Sequence, residues 1–304
     1  MKTLYYLFIS MRPRQWIKNM TLFIPIVFWG YLLQPDKLQA VSFGVIIFCG
    51  LTSSIYLLND LLDRKLDRLH PGKKNRPIAR GLLNPPLVLS TSATLALISL
   101  FFAWRLSEYF FACSTVYLLL MVSYCLFFRN IIILDALCVA FGFVLRVWAG
   151  ALVSETPISS WLILCTTAGA LLISFGRRRC ELTLLLAKAS EHRHTLQHYP
   201  KTYLDVIIAA VTAFSLIAYS FYTFTSPAMI IKQGWVSYFP THWDNLKWLM
   251  VTIPVVIYGI FRYLFVIYEK KEASTPEEVL FRDLPLLSSI VVWMGLVILI
   301  IYVF

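Results

Sequence analysis

Long apolar runs separated by short clusters of charge dominate this 304-residue chain, which is 59% hydrophobic and only 14% charged. Nine of the runs approach the ~20 residues that a helix needs to cross a bilayer. They cover residues 16–33, 38–58, 86–104, 109–128, 131–153, 159–175, 203–225, 246–267 and 284–302. Because lipid offers the backbone no hydrogen bonds, spanning segments must be helices or closed barrels, whose strands are about half as long. The sequence therefore predicts an all-α, polytopic membrane protein with about nine transmembrane helices, and it excludes an ordinary soluble domain.

Lys and Arg concentrate in alternate loops of this arrangement, around residues 2–18, 64–80, 129, 177–201 and 262–282. The intervening loops hold only Lys37, Arg105, Lys232 and Lys247. By the positive-inside rule, the N-terminus is expected to be cytoplasmic and the C-terminus to lie outside. A basic face against anionic lipid accounts for part of the net charge of +11. We therefore expect a membrane partner and no nucleic acid.

The chain contains no recognisable linker, so residues 1–304 are expected to form a single domain. Residues 1–15 lack a cleavage site typical of a signal peptide and are interpreted as an interfacial segment. Residues 59–85 and 176–203 are expected to be cytoplasmic catalytic loops. Residues 269–283 suggest either an amphipathic surface helix or a cytoplasmic cap over the site. The six Cys residues are scattered singly and are interpreted as packing residues.

Three carboxylates lie at the cytoplasmic end of the second run. Asp60, Asp63 and Asp67 are spaced i, i+3, i+7, so on a helix they fall within about 60° of one another. Their mutual repulsion would be relieved by a bound cation, and oxygen ligands that leave room for water suit Mg²⁺ bridging to a phosphate. The pattern predicts metal-binding, catalytic carboxylates. The alternative is a solvated helix end with local ion pairs such as Asp60 with Arg64 and Asp63 with Lys65.

Basic residues follow these carboxylates at once. His70-Pro-Gly72 should end the helix, and Pro77 restricts Arg76 to an extended backbone that would aim its guanidinium. Lys73 and Arg76 are predicted phosphate ligands, whereas Lys74 and Arg80 are as compatible with lipid headgroups.

Further charged residues fall inside or beside the apolar runs. Arg12 and Arg14 are interpreted as membrane anchors, but Lys18 lies a turn into the first run, where an ammonium is costly, and is predicted to face an anionic substrate. In the fifth run, Asp135 could reach the substrate or a basic group such as Arg129. Arg146 lies deeper, and a structural role and a phosphate-binding role are equally compatible with it. Tyr124 and Arg129 could add a hydroxyl and a cation to the same rim.

The segment Gly176-Arg-Arg-Arg-Cys-Glu181 ends the sixth run. Three consecutive arginines cannot share one helix face, so one or two of them are expected to point into the site, Arg177 and Arg178 being our candidates. Glu181, one turn later, is expected to orient one of them. The nearby His192, Arg193, His194 and His198 lack a complete metal-ligand set and are interpreted as solvated.

The pattern Asn59-Asp60-x-x-Asp63-x-x-x-Asp67, near the cytoplasmic end of the second of nine runs, resembles the first Asp-rich motif of the UbiA superfamily of intramembrane prenyltransferases. The resemblance covers nearly the whole chain. It implies a UbiA-like helical bundle with a cytoplasmic-facing active-site cavity. It also implies that Asp60, Asp63 and Asp67, with Asn59 beside them, bind a Mg²⁺-diphosphate donor.

The chain departs from that family where ordinary members carry a second Asp-rich motif, because Gly-Arg-Arg-Arg-Cys-Glu stands there instead. One branch of the superfamily, the decaprenyl-phosphate phosphoribosyltransferases, has this character. The chain resembles that branch in residues 11–19, in residues 70–81 and in Pro276-Glu-Glu-Val-Leu-Phe-Arg-Asp. That branch implies 5-phosphoribosyl 1-diphosphate as donor, a polyprenyl phosphate as acceptor and a place in making cell wall precursors. The resemblance does not decide the oligomeric state, and a homo-oligomer is possible. The alternative enzyme is a prenyltransferase acting on an aromatic acceptor, and the alternative without chemistry is a small transporter or lipid-binding scaffold.

Overall fold

The computed structural model describes residues 2–69, 72–186, 201–225, 247–269 and 283–303, and within these it leaves the side chains of Glu181, residues 183–186 and Lys201 undescribed. The described residues form helices and contain no strand. The α-helices are α1 (Lys2–Ser10), α2 (Ile24–Phe28), α3 (Pro35–Leu62), α4 (Arg64–Leu69), α5 (Pro85–Leu106), α6 (Glu108–Leu126), α7 (Leu134–Val153), α8 (Ser160–Leu186), α9 (Lys201–Thr225), α10 (Ile253–Glu269) and α11 (Leu284–Ile298). Shorter 3₁₀ helices cover Pro13–Phe23, Phe128–Asn130 and Trp248–Thr252, and a π-helix covers Leu299–Val303.

Eight helical segments in the described ranges are long and apolar enough to cross a membrane. They are Pro35–Leu62, Pro85–Leu106, Glu108–Leu126, Leu134–Val153, Ser160–Cys180, Thr202–Thr225, Trp248–Glu269 and Leu284–Val303. Each matches one of the nine predicted runs, so the all-α, multi-pass membrane architecture is confirmed. Prolines in the first turn of α3, α5 and α11 help to fix where these helices begin, since a missing N–H costs nothing there.

The first predicted run, residues 16–33, differs from the expected single helix. Residues Pro13–Phe23 form a 3₁₀ helix, and α2 follows for only five residues. Pro25 stands at the second position of α2, where its missing N–H is tolerated, whereas it would break a helix running through it. Two residues after the end of α2, Gly30 has a φ of 71°, a left-handed conformation that glycine adopts readily.

The chain divides into two compact units, residues 1–26 with 32–157 and residues 27–31 with 158–304. In the first unit, α3 is central. It approaches α5 closely at Gly50, where an added Cβ would lie 2.2 Å from Ser99 Oγ. The 3₁₀ helix Pro13–Phe23 packs against α7 at Gly150, where a Cβ would lie 1.9 Å from Leu22 O. Phe48 of α3 packs against Tyr117 of α6, with ring centroids 5.1 Å apart.

Helix α1 anchors the other end of α3 in the first unit. Its Leu7 packs into a buried cluster with Leu57, Ile78, Leu83 and Val88, while Leu4 and Tyr5 are exposed. One apolar side of α1 therefore faces the protein and another faces outward, and the interfacial placement of residues 1–15 stays a prediction. The same cluster holds the segment after α4 against the end of α3, beside the predicted carboxylates.

The second unit contains helices α8 to α11. Gly176 of α8 lets Tyr263 of α10 approach, since an added Cβ would lie 2.4 Å from the Tyr263 hydroxyl. Asp283 caps α11 by accepting from Leu286 N, and both its oxygens accept 2.9 Å hydrogen bonds from Arg262 of α10. Of the predicted cap over residues 269–283, the structure describes only the two end residues. His192, Arg193, His194 and His198, which we interpreted as solvated, also lie outside the described residues.

Candidate active site

The end of α3 does not continue as one helix through the three carboxylates. Helix α3 stops at Leu62, Asp63 has φ −84° and ψ 0°, and α4 starts at Arg64. The i→i−4 hydrogen bonds nevertheless persist, from Asp63 N to Asn59 O at 2.9 Å and from Asp67 N to Asp63 O at 2.8 Å. Helical hydrogen bonds therefore continue on both sides of the break at Asp63. Asp60, Asp63 and Asp67 are all buried.

Arginines from three other segments neutralise these carboxylates. Arg12, at the start of the 3₁₀ helix Pro13–Phe23, forms an ion pair with Asp60 Oδ1. Arg129, in the 3₁₀ helix Phe128–Asn130, forms one with Asp63 Oδ1. The sequence predicted that a cation would relieve the repulsion among the carboxylates, and arginines do so here. Among the described residues, the ion pairs of Asp60 and Asp63 are with these distant arginines and not with the neighbouring Arg64 and Lys65.

Arg76 bridges two of the carboxylates. Its Nη1 lies 3.1 Å from Asp60 Oδ1 and 2.7 Å from Asp67 Oδ2. The loop that carries it is well tied, because Arg76 N bonds to Lys73 O, Arg80 N bonds to Arg76 O, and Arg68 Nε donates 2.7 Å to Ala79 O. The predicted phosphate ligand Arg76 is thus aimed at the carboxylates themselves.

Arg12 is a residue of this site that the sequence reasoning missed, since we interpreted it as a membrane anchor. Its backbone is left-handed, with φ 56° and ψ 62°, at the junction between α1 and the 3₁₀ helix. The guanidinium carbon lies 4.9 Å from the centre of the Tyr56 ring, one turn before Asp60 on α3. The positive φ of a non-glycine residue is a local cost that only the tertiary structure reveals.

The loop around Arg129 is also strained. Ile133 has φ 71° and ψ −50°, and Leu134 N bonds to Ile132 O at 2.9 Å, which makes a γ-turn of the rarer kind. Asp135 follows at the start of α7, where it is buried and its Oδ1 accepts 2.8 Å from Ala136 N. Tyr124, near the end of α6, is half-buried. The turn thus connects two predicted site residues, Arg129 and Asp135.

Arg146 lies in a separate network inside the first unit. Its Nε donates to Asn19 Oδ1 at 3.0 Å, its Nη1 to Gly142 O at 3.0 Å and its Nη2 to the Tyr117 hydroxyl at 2.6 Å. Asn19 in turn donates to Thr52 Oγ1 and Cys49 Sγ of α3. Every recorded acceptor of Arg146 is a neutral group of the protein, which favours the structural role that the sequence left open.

The three consecutive arginines of α8 differ in their surroundings within the second unit. Arg179 donates 2.8 Å from Nε to Asp205 Oδ1 and lies over the ring of Tyr268, whose hydroxyl donates 2.9 Å to the same oxygen. Arg178 is buried, and Arg177 is half-buried. Arg179 therefore contacts α9 and α10, and the assignment of Arg177 and Arg178 to the site stays a prediction. Glu181 lies in α8, and its side chain is outside the description.

The family model for the UbiA prenyltransferase family matches residues 23–284, which is most of the chain. The chain belongs to the UbiA prenyltransferase family. The resemblance inferred from the Asn59–Asp67 motif is thereby confirmed, and the carboxylates, with the arginines that meet them, occupy the first Asp-rich motif of a UbiA protein.

Relatives of this UbiA chain carry a more specific name. It is 30% identical over 298 residues to the decaprenyl-phosphate phosphoribosyltransferase of Mycolicibacterium smegmatis, covering 94% of this chain and 89% of that protein. It is 28% identical to the protein of the same name from Mycobacterium tuberculosis strain CDC 1551, covering 95% and 91%. A UbiA homolog from Archaeoglobus fulgidus bound to GPP and Mg²⁺ has the same fold, with a TM-score of 0.70 at 17% identity over 97% of this chain and 99% of that one.

The donor set of the motif fits Mg²⁺, although not as a closed cage. Among the described residues, no three His, Cys, Asp or Glu side chains are grouped to hold an ion. However, Arg76 Nη1 contacts oxygens of both Asp60 and Asp67, so a positively charged group already stands between two buried carboxylates. Mg²⁺ usually takes one or two carboxylates and completes its shell with water and substrate phosphate. The Asp-rich motif can therefore supply the protein's share of such a site.

The remaining candidates of the first unit are Asn59, Lys18 and Lys73. Asn59 Nδ2 donates 3.3 Å to Asp63 Oδ2, so it orients a carboxylate. Lys18 and Lys73 are half-buried and each makes contacts within the protein. The signal that could have found Arg12 was its place in Met-Arg-Pro-Arg, where Pro13 fixes the start of a helix. The sequence alone does not say that this start lies beside Asp60.

Proposed function

We propose that this chain transfers the 5-phosphoribosyl group from 5-phosphoribosyl 1-diphosphate to the phosphate of a polyprenyl, decaprenyl-type lipid, releasing diphosphate, with Mg²⁺ as cofactor. The observation that carries the proposal is the arginine segment of α8. Arg177 and Arg178 stand where the resemblance leads one to expect a second set of metal-binding carboxylates. Positive charge there suits a donor and an acceptor that bear more phosphate than a prenyl diphosphate and an aromatic compound do. The shared name of the relatives supports the same choice.

Two anions must be held together in this reaction and screened from each other. An oxygen of the lipid phosphate forms a bond to C1 of the ribose, and the bond from C1 to the diphosphate oxygen breaks with its electron pair leaving on diphosphate. The lipid phosphate is already an anion at neutral pH, so no strong general base is needed. Positioning and charge stabilisation therefore supply most of the catalysis.

In this proposal, Asp60, Asp63 and Asp67 hold the metal, with Asn59 orienting Asp63. When bound, Mg²⁺ would supply Lewis-acid stabilisation of the leaving diphosphate. Lys18, Lys73 and Arg76, together with Arg177 and Arg178, bind the ribose 5-phosphate and the lipid phosphate. The further candidates at the rim of the site are Tyr124, Arg129 and Asp135, and Glu181 would orient Arg177 or Arg178.

The membrane arrangement completes the proposal. We place the N-terminus and the carboxylates at the cytoplasmic side of a bacterial inner membrane and the C-terminus outside, because the basic residues concentrate on the side of the Asp-rich motif. Soluble 5-phosphoribosyl 1-diphosphate would then reach the site from the cytoplasm, while the polyprenyl phosphate would reach it from the bilayer.

The decisive experiment supplies purified protein in lipid nanodiscs with Mg²⁺, decaprenyl phosphate and 5-phosphoribosyl 1-diphosphate labelled in the ribose. We expect label in the lipid phase and one diphosphate released for each labelled lipid. Parallel reactions contain geranyl diphosphate and an aromatic acid. Product from the second pair alone would overturn the proposal in favour of the prenyltransferase alternative.

A further inference from the structure

Arg12 forms an ion pair with Asp60. A metal ion bound by the same carboxylate would disturb this pair. Two guanidiniums, those of Arg12 and Arg76, meet the single oxygen Asp60 Oδ1. A cation coordinated by that oxygen would be repelled by both. Arg76 has a second carboxylate, Asp67, to which it can remain bound. Among the described residues, the recorded partners of Arg12 are Asp60 and the ring of Tyr56, so Arg12 is the arginine that metal binding would release.

The charges of the motif lead to the same conclusion. Three buried aspartates face three arginines, Arg12, Arg76 and Arg129, so these six side chains together carry no net charge. A divalent cation entering alone would leave an excess of positive charge in a half-buried site. A diphosphate entering with it supplies the missing negative charge, and guanidinium groups bind phosphate oxygens well.

The position of Arg12 suits such an exchange. The backbone is fixed, because Arg12 N bonds to Ile9 O at 3.0 Å and Gln15 N bonds to Arg12 O at 2.8 Å, whereas 26% of the side chain is exposed. The Tyr56 ring offers the guanidinium a contact that does not depend on Asp60. The side chain can therefore change its anionic partner without loss of its place.

We infer that Arg12 is a further substrate-binding residue, which exchanges Asp60 for an oxygen of the donor's diphosphate as the metal takes Asp60. Metal and diphosphate then bind this site together, each increasing the affinity of the other. The inference rests on the proposed function only in taking a diphosphate as the leaving group, which the alternative prenyl donor shares.

The test measures binding, without turnover. Mn²⁺ serves as the metal and is followed by electron paramagnetic resonance on the full-length protein in nanodiscs, with and without inorganic diphosphate. For the unaltered protein, after subtraction of Mn²⁺ bound by free diphosphate, we expect diphosphate to tighten Mn²⁺ binding about fivefold or more, the lower end of usual coupling between sites. In Arg12→Gln, Mn²⁺ alone should bind several-fold tighter, because its competitor at Asp60 is gone, and the enhancement by diphosphate should fall to about twofold or less.

The matched control is Arg14→Gln. Arg14 lies two residues after Arg12 and its side chain is exposed, so this variant removes the same charge outside the site. It should leave both affinities unchanged. The inference is overturned if Arg12→Gln binds Mn²⁺ alone no tighter than the unaltered protein, or if it keeps the full enhancement by diphosphate.

A second variant guards against failure of Arg12→Gln to fold. Arg12→Lys keeps the charge beside Asp60 but loses the planar fork, so we expect nearly unaltered binding of Mn²⁺ alone with a smaller enhancement by diphosphate. Full enhancement in Arg12→Lys would count against the exchange. Coupled binding of Mn²⁺ and diphosphate without consumption of 5-phosphoribosyl 1-diphosphate would support the role of Arg12 and contradict the proposed function. Consumption of 5-phosphoribosyl 1-diphosphate without coupled binding would support the proposed function and contradict the role of Arg12.

Discussion

Arg146 donates a 2.6 Å hydrogen bond from Nη2 to the hydroxyl of Tyr117, joining α7 to α6 inside the first unit. Both side chains are buried, and the guanidinium also lies 4.8 Å from the centre of the Tyr117 ring. A buried cation surrounded by neutral acceptors depends on each of them, because losing one leaves an unsatisfied donor in a dry interior. The pair therefore stabilises the packing of these helices.

Replacing Tyr117 with Phe should destabilise the protein by about 1.5–3 kcal/mol, since a hydrogen bond to a charged group is lost while the ring remains. Thermal unfolding in detergent measures the change. Tyr109→Phe, at a 75% exposed position, is the control and should change nothing. Normal stability combined with a large loss of turnover in Tyr117→Phe would instead favour substrate binding by Arg146.

Replacing Asp63 with Asn should reduce turnover by about 100-fold or more, the size usual when one electrostatic group at a reacting centre is removed. The substitution weakens the metal site and leaves Arg129 without its charged partner Asp63. Turnover with labelled 5-phosphoribosyl 1-diphosphate measures the effect, and Asp36→Asn, exposed at the opposite end of α3, serves as control. If Asp63→Asn kept its turnover, metal-assisted chemistry at this motif would be wrong and a non-enzymatic scaffold would gain support.

Replacing Arg177 with Gln should raise the KM for 5-phosphoribosyl 1-diphosphate by about tenfold or more, because one charge-assisted contact to a phosphate contributes about 1.5–3 kcal/mol. Initial rates at varied donor concentration give the KM. Arg105→Gln removes an exposed charge from the last turn of α5 and should have no effect. An unaltered KM in Arg177→Gln would remove that residue from the proposed phosphate-binding set.

Replacing Gly150 with Ala should destabilise the fold by about 1–3 kcal/mol, the usual result of overpacking. The added methyl group would lie 1.9 Å from Leu22 O, so the 3₁₀ helix Pro13–Phe23 must move away from α7. The control is Gly169→Ala in α8, where a Cβ meets nothing within 4 Å and the better helix propensity of Ala should be neutral or stabilising. Equal melting temperatures for the two variants would contradict the close approach at Gly150.

Several parts of this protein could be predicted because they depend on local pattern. The apolar runs predicted the eight spanning segments, since lipid allows the backbone only helices or closed barrels and the runs are about twice as long as barrel strands. The spacing of Asp60, Asp63 and Asp67 predicted a shared side, and Asp60 and Asp67 do meet the same nitrogen of Arg76. The prediction of a single helix over the first run was wrong, because apolar content does not distinguish an α-helix from the 3₁₀ helix Pro13–Phe23, and Pro25 would break a helix running through it.

The sequence by itself determined the membrane architecture, the family motif and the kind of ligand that its carboxylates suit, since these follow from hydropathy, charge and spacing within single segments. Only the tertiary structure decided which cation meets which carboxylate. Arg12, Arg76 and Arg129 lie 48, 16 and 66 residues from their aspartates, and such distances carry no local signal. Ion pairs of this kind form because packing places buried charges together, and a buried charge without a partner is too costly to remain.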